Sequence, residues 1–483
     1  MTYKQPETME IRNWIQDKMP DITEDLKRIC RIRSVAQVNN TDKPPYGKGC
    51  QDVLQEMLCI GQENGFQIHN YDNYVGRITY PGKKEKNIGI WAHLDVVEEG
   101  NDWDYSPYEP VVKDGYFIAR GCQDNKSSAI IGLYALKYMK EHEILPEHTM
   151  ELYLGTCEEQ GMYDIDYFLE NYQAPALSLV PDSGFPVCLG ERGSFNGELT
   201  CNQVCGSQVL EVECDCELYT IPDKVSLSIR YSAEAWEKCK PYQEGNYKAD
   251  GTGIRTEVLE EEDKIRITAI GISTQASNPS KGINALSLLA EFVCERELLD
   301  KKDTGVFAFI KDINKDYKGT ALNVYCEDEL SGPINLVATR LRLYEGHLVI
   351  DFISKYPITR NDFPFVTQAS DIACERGFTL KTTRFAKANY FDPNRPEVQI
   401  LTKVSNEVLE REDTPFVMSG GTYARKLPNA FAFGTGMPLP PRPKDIFRPG
   451  HGDYHQPDES ISLERICKGL EIYIKGLLQI DLQ

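Results

Sequence analysis

"MELYLGTCEEQG", residues 150–161, runs a short, mainly apolar stretch straight into two adjacent glutamates. Met150 to Leu154 reads as a buried strand, Gly155 and Thr156 break it, and Glu158 and Glu159 follow at once. Neighbouring carboxylates repel one another unless they are well solvated or share a positive charge. What lies around this strand therefore bears on both the fold and the chemistry.

The flanking sequence alternates strand and helix. "NIGIWAHLDVV" (87–97) and "ALSLVPDS" (176–183) read as buried strands. "QDVLQEMLCIGQENG" (51–65), "SSAIIGLYALKYMKEHE" (127–143) and "YDIDYFLENY" (163–172) read as helices, the first of them stopped near Gly65. "DITEDLKRICRIRSV" (21–35) is also helix-periodic, with Asp21 or Thr23 as the expected N-cap. Such alternation predicts an α/β layer around a mainly parallel central sheet.

Beyond "GERGSFNGE" (190–198) the texture shifts to strands with few long helices. Segments 225–239 and 348–363 resemble one another as alternating strand followed by a polar stretch, a weak sign of internal duplication. The α/β texture resumes with a helix in "EVQILTKVSNEVLERE" (397–412), a strand in "NAFAFGTG" (429–436) and an amphipathic helix at 463–479. The expected organisation is a discontinuous catalytic domain, residues 1–190 and 388–483, interrupted by an inserted α+β lid, residues 191–387. A chain of 483 residues exceeds what one core usually supports, in keeping with more than one domain.

A formal charge of -21 argues against binding of nucleic acids or anionic membranes, both of which need an excess of Lys and Arg. No stretch has the ~18 apolar residues of a membrane span. The start shows no basic region followed by an apolar one, so no leader is expected, and 15 cysteines then read as reduced thiols in a cytoplasm. Cys201, Cys205, Cys214 and Cys216 lie close in sequence but lack the paired spacing of a zinc knuckle, and read as free thiols.

The polar residues at the strand ends form a pattern. His93 and Asp95 sit two apart, so in extended chain both face one side, and a carboxylate there can fix the tautomer of a ligating imidazole. Asp124 precedes a helix, Glu158 and Glu159 end one strand, and Asp182 ends another. In α/β sheets ligands bind beyond the carboxyl ends of the strands, where these groups would converge. Divalent cations would offset the repulsion of so many carboxylates. Adjacent residues in extended chain face opposite ways, so one glutamate can ligate while the other stays free as a base.

At this point "AHLDVV" (92–97), "RGCQDNK" (120–126), "GTCEEQG" (155–161), "PDSG" (181–184), "STQASNPSKGINA" (273–285), "GGTYARKLPN" (420–429) and "HQPDE" (455–459) together resemble the metallopeptidase-20 family of co-catalytic zinc peptidases, in the family's order and over nearly the whole chain. That family includes aminoacylase, glutamate carboxypeptidase, carnosinase and succinyl-diaminopimelate desuccinylase. "GGTYAR" and the long lid resemble most the bacterial dipeptidase V branch, the Xaa-His or β-Ala-Xaa dipeptidases.

The resemblance implies that His93 and Asp182 bind one zinc, that Glu159 and His455 bind the other, and that Asp124 bridges them beside a strained bond to Asn125. His451, in the same loop, is the alternative to His455. Asp95 would orient His93, and Glu158 would be the general base acting on the bridging water. Gly421, Thr422, Gln275, Lys355 and Tyr219 would contact substrate. Zinc is expected first, with manganese or cobalt as alternatives, since mixed oxygen and nitrogen ligation discriminates poorly. A long lid can replace a second subunit, so a monomer acting on a dipeptide or small acyl-amino acid is expected.

Three departures from the family pattern stand out, the third of them at two places. Gln275 stands where the lid has an oxyanion-donating histidine, and an amide donates a hydrogen bond without carrying charge. Lys355 replaces an arginine that grips the substrate carboxylate, keeping the charge and losing the fork. Tyr219 stands for an asparagine, and "DNKSS" (124–128) for a "DDKGG"-like helix start. Three readings follow: a working dipeptidase, an N-acyl-amino-acid amidohydrolase, or a metal-binding relative with little turnover.

Overall fold

The computed structural model describes residues 6–38, 44–214, 216, 219–259, 263–438 and 440–483; the first five residues, part of the stretch on which the expectation of no leader rests, lie outside these. The chain divides into two compact units, residues 1–190 with 390–483, and residues 191–389.

The first unit is α/β. Its main elements are α1 (Thr8–Cys30), α2 (Lys48–Glu63), β1 (Gln67–Tyr71), β2 (Val75–Tyr80), β3 (Lys84–His93), α3 (Ser127–Glu141), β4 (His148–Gly155), α4 (Tyr163–Asn171), β5 (Leu177–Val180), α5 (Pro396–Leu409), β6 (Ala430–Ala432) and α6 (Leu463–Ile480). The strands are ordered β1-β2-β4-β3-β5-β6. β4, β3, β5 and β6 are parallel, whereas β1 and β2 extend the sheet antiparallel.

Alternation along β3 explains the layering. Ile88, Ile90 and Ala92 enter a core shared with α1, α2, α3 and α6. Trp91 points to the opposite face, where it stacks on Tyr153 of β4 with centroids 4.1 Å apart and packs edge-on to Phe168 of α4. Burying a side chain of this size contributes about 1.5–3 kcal/mol, and both faces of the central strands gain it. Register then aligns the strand ends: His93 lies opposite Gly155, and Ile90 opposite both Leu152 and Leu179. The polar residues that follow each strand are thereby delivered to one edge of the sheet.

α1 starts at Thr8, so Asp21 and Thr23 lie inside it rather than capping it. The helix carries Pro20 through its middle. An internal proline costs ~3 kcal/mol, but Ile11 and Ile15 before it and Ile22 and Leu26 after it are all fully buried on one stripe. That continuous burial outweighs the lost hydrogen bond.

Among the described residues, the two larger sheets of the second unit are antiparallel. Asn335–Tyr344, His347–Tyr356, Gly193–Cys201 and Phe378–Ala386 form one, in that order. Val209–Glu213, Lys224–Arg230, Lys264–Ile270, Gly253–Leu259 and Asn246–Tyr247 form the other. The strands of the two mutually similar segments, Lys224–Arg230 and His347–Tyr356, lie in different sheets. All 15 cysteines are free. Cys214 and Cys216 both donate to the Thr339 carbonyl while Cys205 donates to Asp303, and among the described residues no cysteine joins a metal-competent group. No described helix is long and apolar enough to cross a membrane.

Candidate metal centre

Beyond the carboxyl edge of β3, β4 and β5, in the first unit, two imidazoles and four carboxylates converge. His93 ends β3; its Nε2 lies 3.1 Å from Asp124 Oδ1 and 3.9 Å from Asp182 Oδ2. His455 Nε2 lies 3.3 Å from Asp124 Oδ2 and 3.1 Å from Glu159 Oε1. Asp124 thus turns one oxygen to each histidine. The ligand atoms of His93, Asp124 and Glu159 lie within 4.8 Å of one another, as do those of His93, Glu158 and Asp182. His451 lies apart, with its Nδ1 2.6 Å from Asp458.

Glu158 and Glu159 occupy a turn rather than extended chain, yet they diverge as alternation would have made them. Four consecutive backbone N–H groups fix that turn. Thr156 and Cys157 donate to Asp164 Oδ2 at 2.7 and 3.0 Å, and Glu158 and Glu159 donate to the two oxygens of Asp95 at 3.0 Å each. Asp164 also accepts the hydroxyl of Tyr423. A side chain at Gly155 would collide with that tyrosine and that carboxylate, so glycine is required where β4 ends. Asp95 lies past the strand, and His93 Nδ1 meets its backbone carbonyl at 3.0 Å and its Oδ1 at 3.4 Å. The carboxylate serves the glutamate turn first and the imidazole second.

The Asp124 loop is held in the same way. Buried Glu459 accepts Gln123 N–H and Asp124 N–H on Oε1, and Gly121 N–H and Arg120 Nη1 on Oε2, all at 2.8–3.0 Å. Asn125, joined to Asp124 by a cis peptide bond, donates through Nδ2 to the Pro181 carbonyl at 2.7 Å. Sequence reasoning singled out neither Asp164, Tyr423, Arg120 nor Glu459. The signal for Glu459 was present in "HQPDE", and that for Arg120 in "RGCQDNK".

Electrostatics follow from this crowding. Burial opposes the charged form of both histidines, but hydrogen bonds to carboxylates win, raising His93 through Asp124 and Asp95 and pushing His455 up to about 10 through Asp124 and Glu159. Burial and then Asp182 raise Glu158 well above the usual carboxyl range; burial and then Asp124 raise Glu159. Burial pushes Asp124 up too, yet the two imidazoles hold it below its ordinary value. Positive charge is stabilised at this place, and added negative charge is not.

Buried Glu158 Oε1 has no hydrogen-bond partner among the described residues. Leaving a buried carboxylate oxygen unpaired is costly. That orphaned oxygen, together with two imidazoles and three further carboxylates within reach, fits a site for hard or borderline divalent cations. A cavity of ≈ 580 Å³ opens on it, lined by Asp124, Glu158, Glu159, Asp182 and His455 and walled by Met418, Gly421, Thr422 and Met437. Thr422 is buried and caps the turn Tyr423–Arg425 through Ala424 N–H.

The other expected substrate residues lie in the second unit. Gln275 bridges Thr220, Tyr219 Oη accepts from Arg384 Nη1 at 2.9 Å, and Lys355 Nζ donates to Ser194 Oγ at 3.0 Å.

Known proteins share this architecture and sequence. The profile of "Peptidase family M20/M25/M40" matches residues 89–479. A Bacillus subtilis protein named "Putative dipeptidase YtjP" is 28% identical over 482 residues, 97% of this chain and 99% of that protein. A Staphylococcus epidermidis protein, also named a dipeptidase in that provisional sense, is 26% identical over 475 residues, 94% of this chain and 96% of its own. Human carnosine dipeptidase 1 shares the fold with a TM-score of 0.58 at 12% identity, over 99% of this chain and 100% of that one. Aminoacylhistidine dipeptidase from Vibrio alginolyticus does so with a TM-score of 0.55 at 14% identity, over 95% and 96%. This chain belongs to peptidase family M20/M25/M40, and it is a metal-dependent peptidase.

Proposed function

We propose that the protein hydrolyses the amide bond of dipeptides at a dinuclear metal site. The observation that carries this reading is the Asp124 carboxylate, with Oδ1 toward His93 and Oδ2 toward His455, beside the unpaired Oε1 of Glu158. The dipeptidase names of the full-length relatives support the substrate class.

His93 and Asp182 would hold one ion, Glu159 and His455 the other, and Asp124 both. Bound divalent ions supply Lewis acidity toward water and the scissile carbonyl. Glu158 takes a proton from the attacking water and delivers it to the departing amine, a role worth ~10²–10⁴-fold in rate. Asp95 positions Glu158 through its backbone N–H. Gly421 and Thr422 wall the cavity where the substrate backbone lies. Gln275, in place of a histidine, would contribute a neutral hydrogen-bond donor to the oxyanion, with Lys355 and Tyr219 as further substrate contacts. Zinc is the favoured ion and a monomer the favoured state.

A panel of dipeptides and N-acyl amino acids, assayed with zinc, manganese or cobalt, tests the reading. Preferential cleavage of dipeptides supports it, and preferential cleavage of acyl-amino acids would reassign the substrate. Gln275 is the observation that favours a second reading, a metal-binding relative with little turnover. Two bound ions without cleavage of any amide would establish that one.

A further inference from the structure

Arg465 stands in the first turn of α6, and its side chain lines the same cavity as Asp124, Glu158, Glu159 and His455. Its Nε donates to the Thr435 carbonyl at 3.0 Å, which fixes the plane of the guanidinium. Among the described residues no carboxylate reaches it within the 4.0 Å of an ion pair. The acidic groups that act on it are engaged elsewhere: Asp453 by Arg442 at 3.3 Å, and Asp124 by His93 and His455. Burial and then the neighbouring Arg442 disfavour its charged form, so this cation is held at a cost. Its two Nη groups carry the donors that a carboxylate fork would match.

Before ions bind, the surrounding carboxylates favour a cation here. Two divalent ions bring four positive charges to the carboxylates of Asp124, Glu158, Glu159 and Asp182, while a fifth carboxylate, Asp95, is taken up by the N–H groups of Glu158 and Glu159 and by His93. On the dinuclear reading, which this inference rests on, the ions occupy the nearby carboxylates and Arg465 is left without a carboxylate partner among the described residues, in a cavity that admits peptides. We propose that Arg465 is a specificity-determining residue that receives the side-chain carboxylate of an acidic dipeptide through its Nη groups. The apolar wall of Met418 and Met437 would accommodate the methylenes of such a side chain.

The test compares isosteric pairs, Glu-Ala with Gln-Ala and Ala-Glu with Ala-Gln, on the metal-loaded full chain. Wild type is expected to favour the acid over the amide in one pair by about tenfold to a hundredfold in kcat/KM, the range of a charge-assisted hydrogen-bonded pair. Arg465→Gln should bring that ratio near one. Arg465→Lys, which keeps charge without the fork, should lower it only in part, and it also serves where the glutamine variant does not fold. A wild-type ratio near one overturns the proposal, as does a ratio that survives both substitutions. Ala-Ala and its C-terminal amide form a further arm: if Arg465 variants lose only the preference for the free C-terminus, the residue binds the terminal carboxylate and the side-chain assignment fails. If no peptide of any pair is cleaved, the dipeptidase reading falls, and this inference falls with it.

Discussion

The carboxylate of Asp95 accepts the backbone N–H of Glu158 at 3.0 Å, tying the strand that ends in His93 to the turn that carries both glutamates. One buried side chain therefore sets the position of the proposed base and touches the ring of a proposed ligand. Asp95→Asn keeps the shape but leaves an amide N–H₂ facing a backbone donor. Turnover and metal affinity should each fall by about 10–100-fold, as when an outer partner of a metal ligand is lost. Steady-state kinetics with a parallel metal titration check this; a change in neither means the glutamate turn is held without Asp95.

The two glutamates should separate cleanly by substitution. Glu158→Ala is expected to abolish hydrolysis, a loss of at least ~10²-fold, while both ions stay bound. Glu159→Ala is expected to lose an ion. Metal analysis of each purified variant beside its activity decides the assignment, and the reverse pattern would exchange the roles of the two residues.

Gln275→His restores a donor that can carry charge. Turnover should rise, by up to the ~10²–10³-fold associated with one oxyanion donor. A fall in kcat would mean that the site has been rebuilt around the amide.

Asp164 gives a pH prediction for the metal-free chain. Burial and then Asp95 push its carboxyl up to about 6, against hydrogen bonds from Tyr423, Thr156 and Cys157. A raised folded value favours the protonated form. Its contribution is full below the unfolded value of 3.8 and is lost as pH rises through about 6. The difference spans on the order of 3 kcal/mol. Asp164→Asn should destabilise the protein overall and also flatten the fall in stability between pH 4 and pH 7. Denaturant melts at several pH values measure both effects, and an unchanged pH slope would contradict the raised carboxyl.

Much of the site was legible because parallel strands bury both faces and end abruptly. In "IGIWAH", "ELYLG" and "LSLV" the apolar run stops where β3, β4 and β5 stop, and His93, Glu158, Glu159 and Asp182 stand at or just beyond those stops. The supports were not legible, since their partners are distant in sequence. Glu459 serves backbone N–H groups more than 330 residues away, and Tyr423 reaches Asp164 across 259. Local patterning also misplaced the start of α1, because proline there is overruled by tertiary burial on both sides. In the second unit, the likeness of segments 225–239 and 348–363 describes strand texture and says nothing of pairing, and their strands join different sheets.

Metal content per chain, measured after saturation with zinc and removal of loosely bound ions, bears most directly on the central claim. Two equivalents are predicted, with anomalous scattering peaks on either side of Asp124 and the loss of at least one ion in Asp124→Ala. A single ion, none, or two that remain when Asp124 is removed would contradict the account.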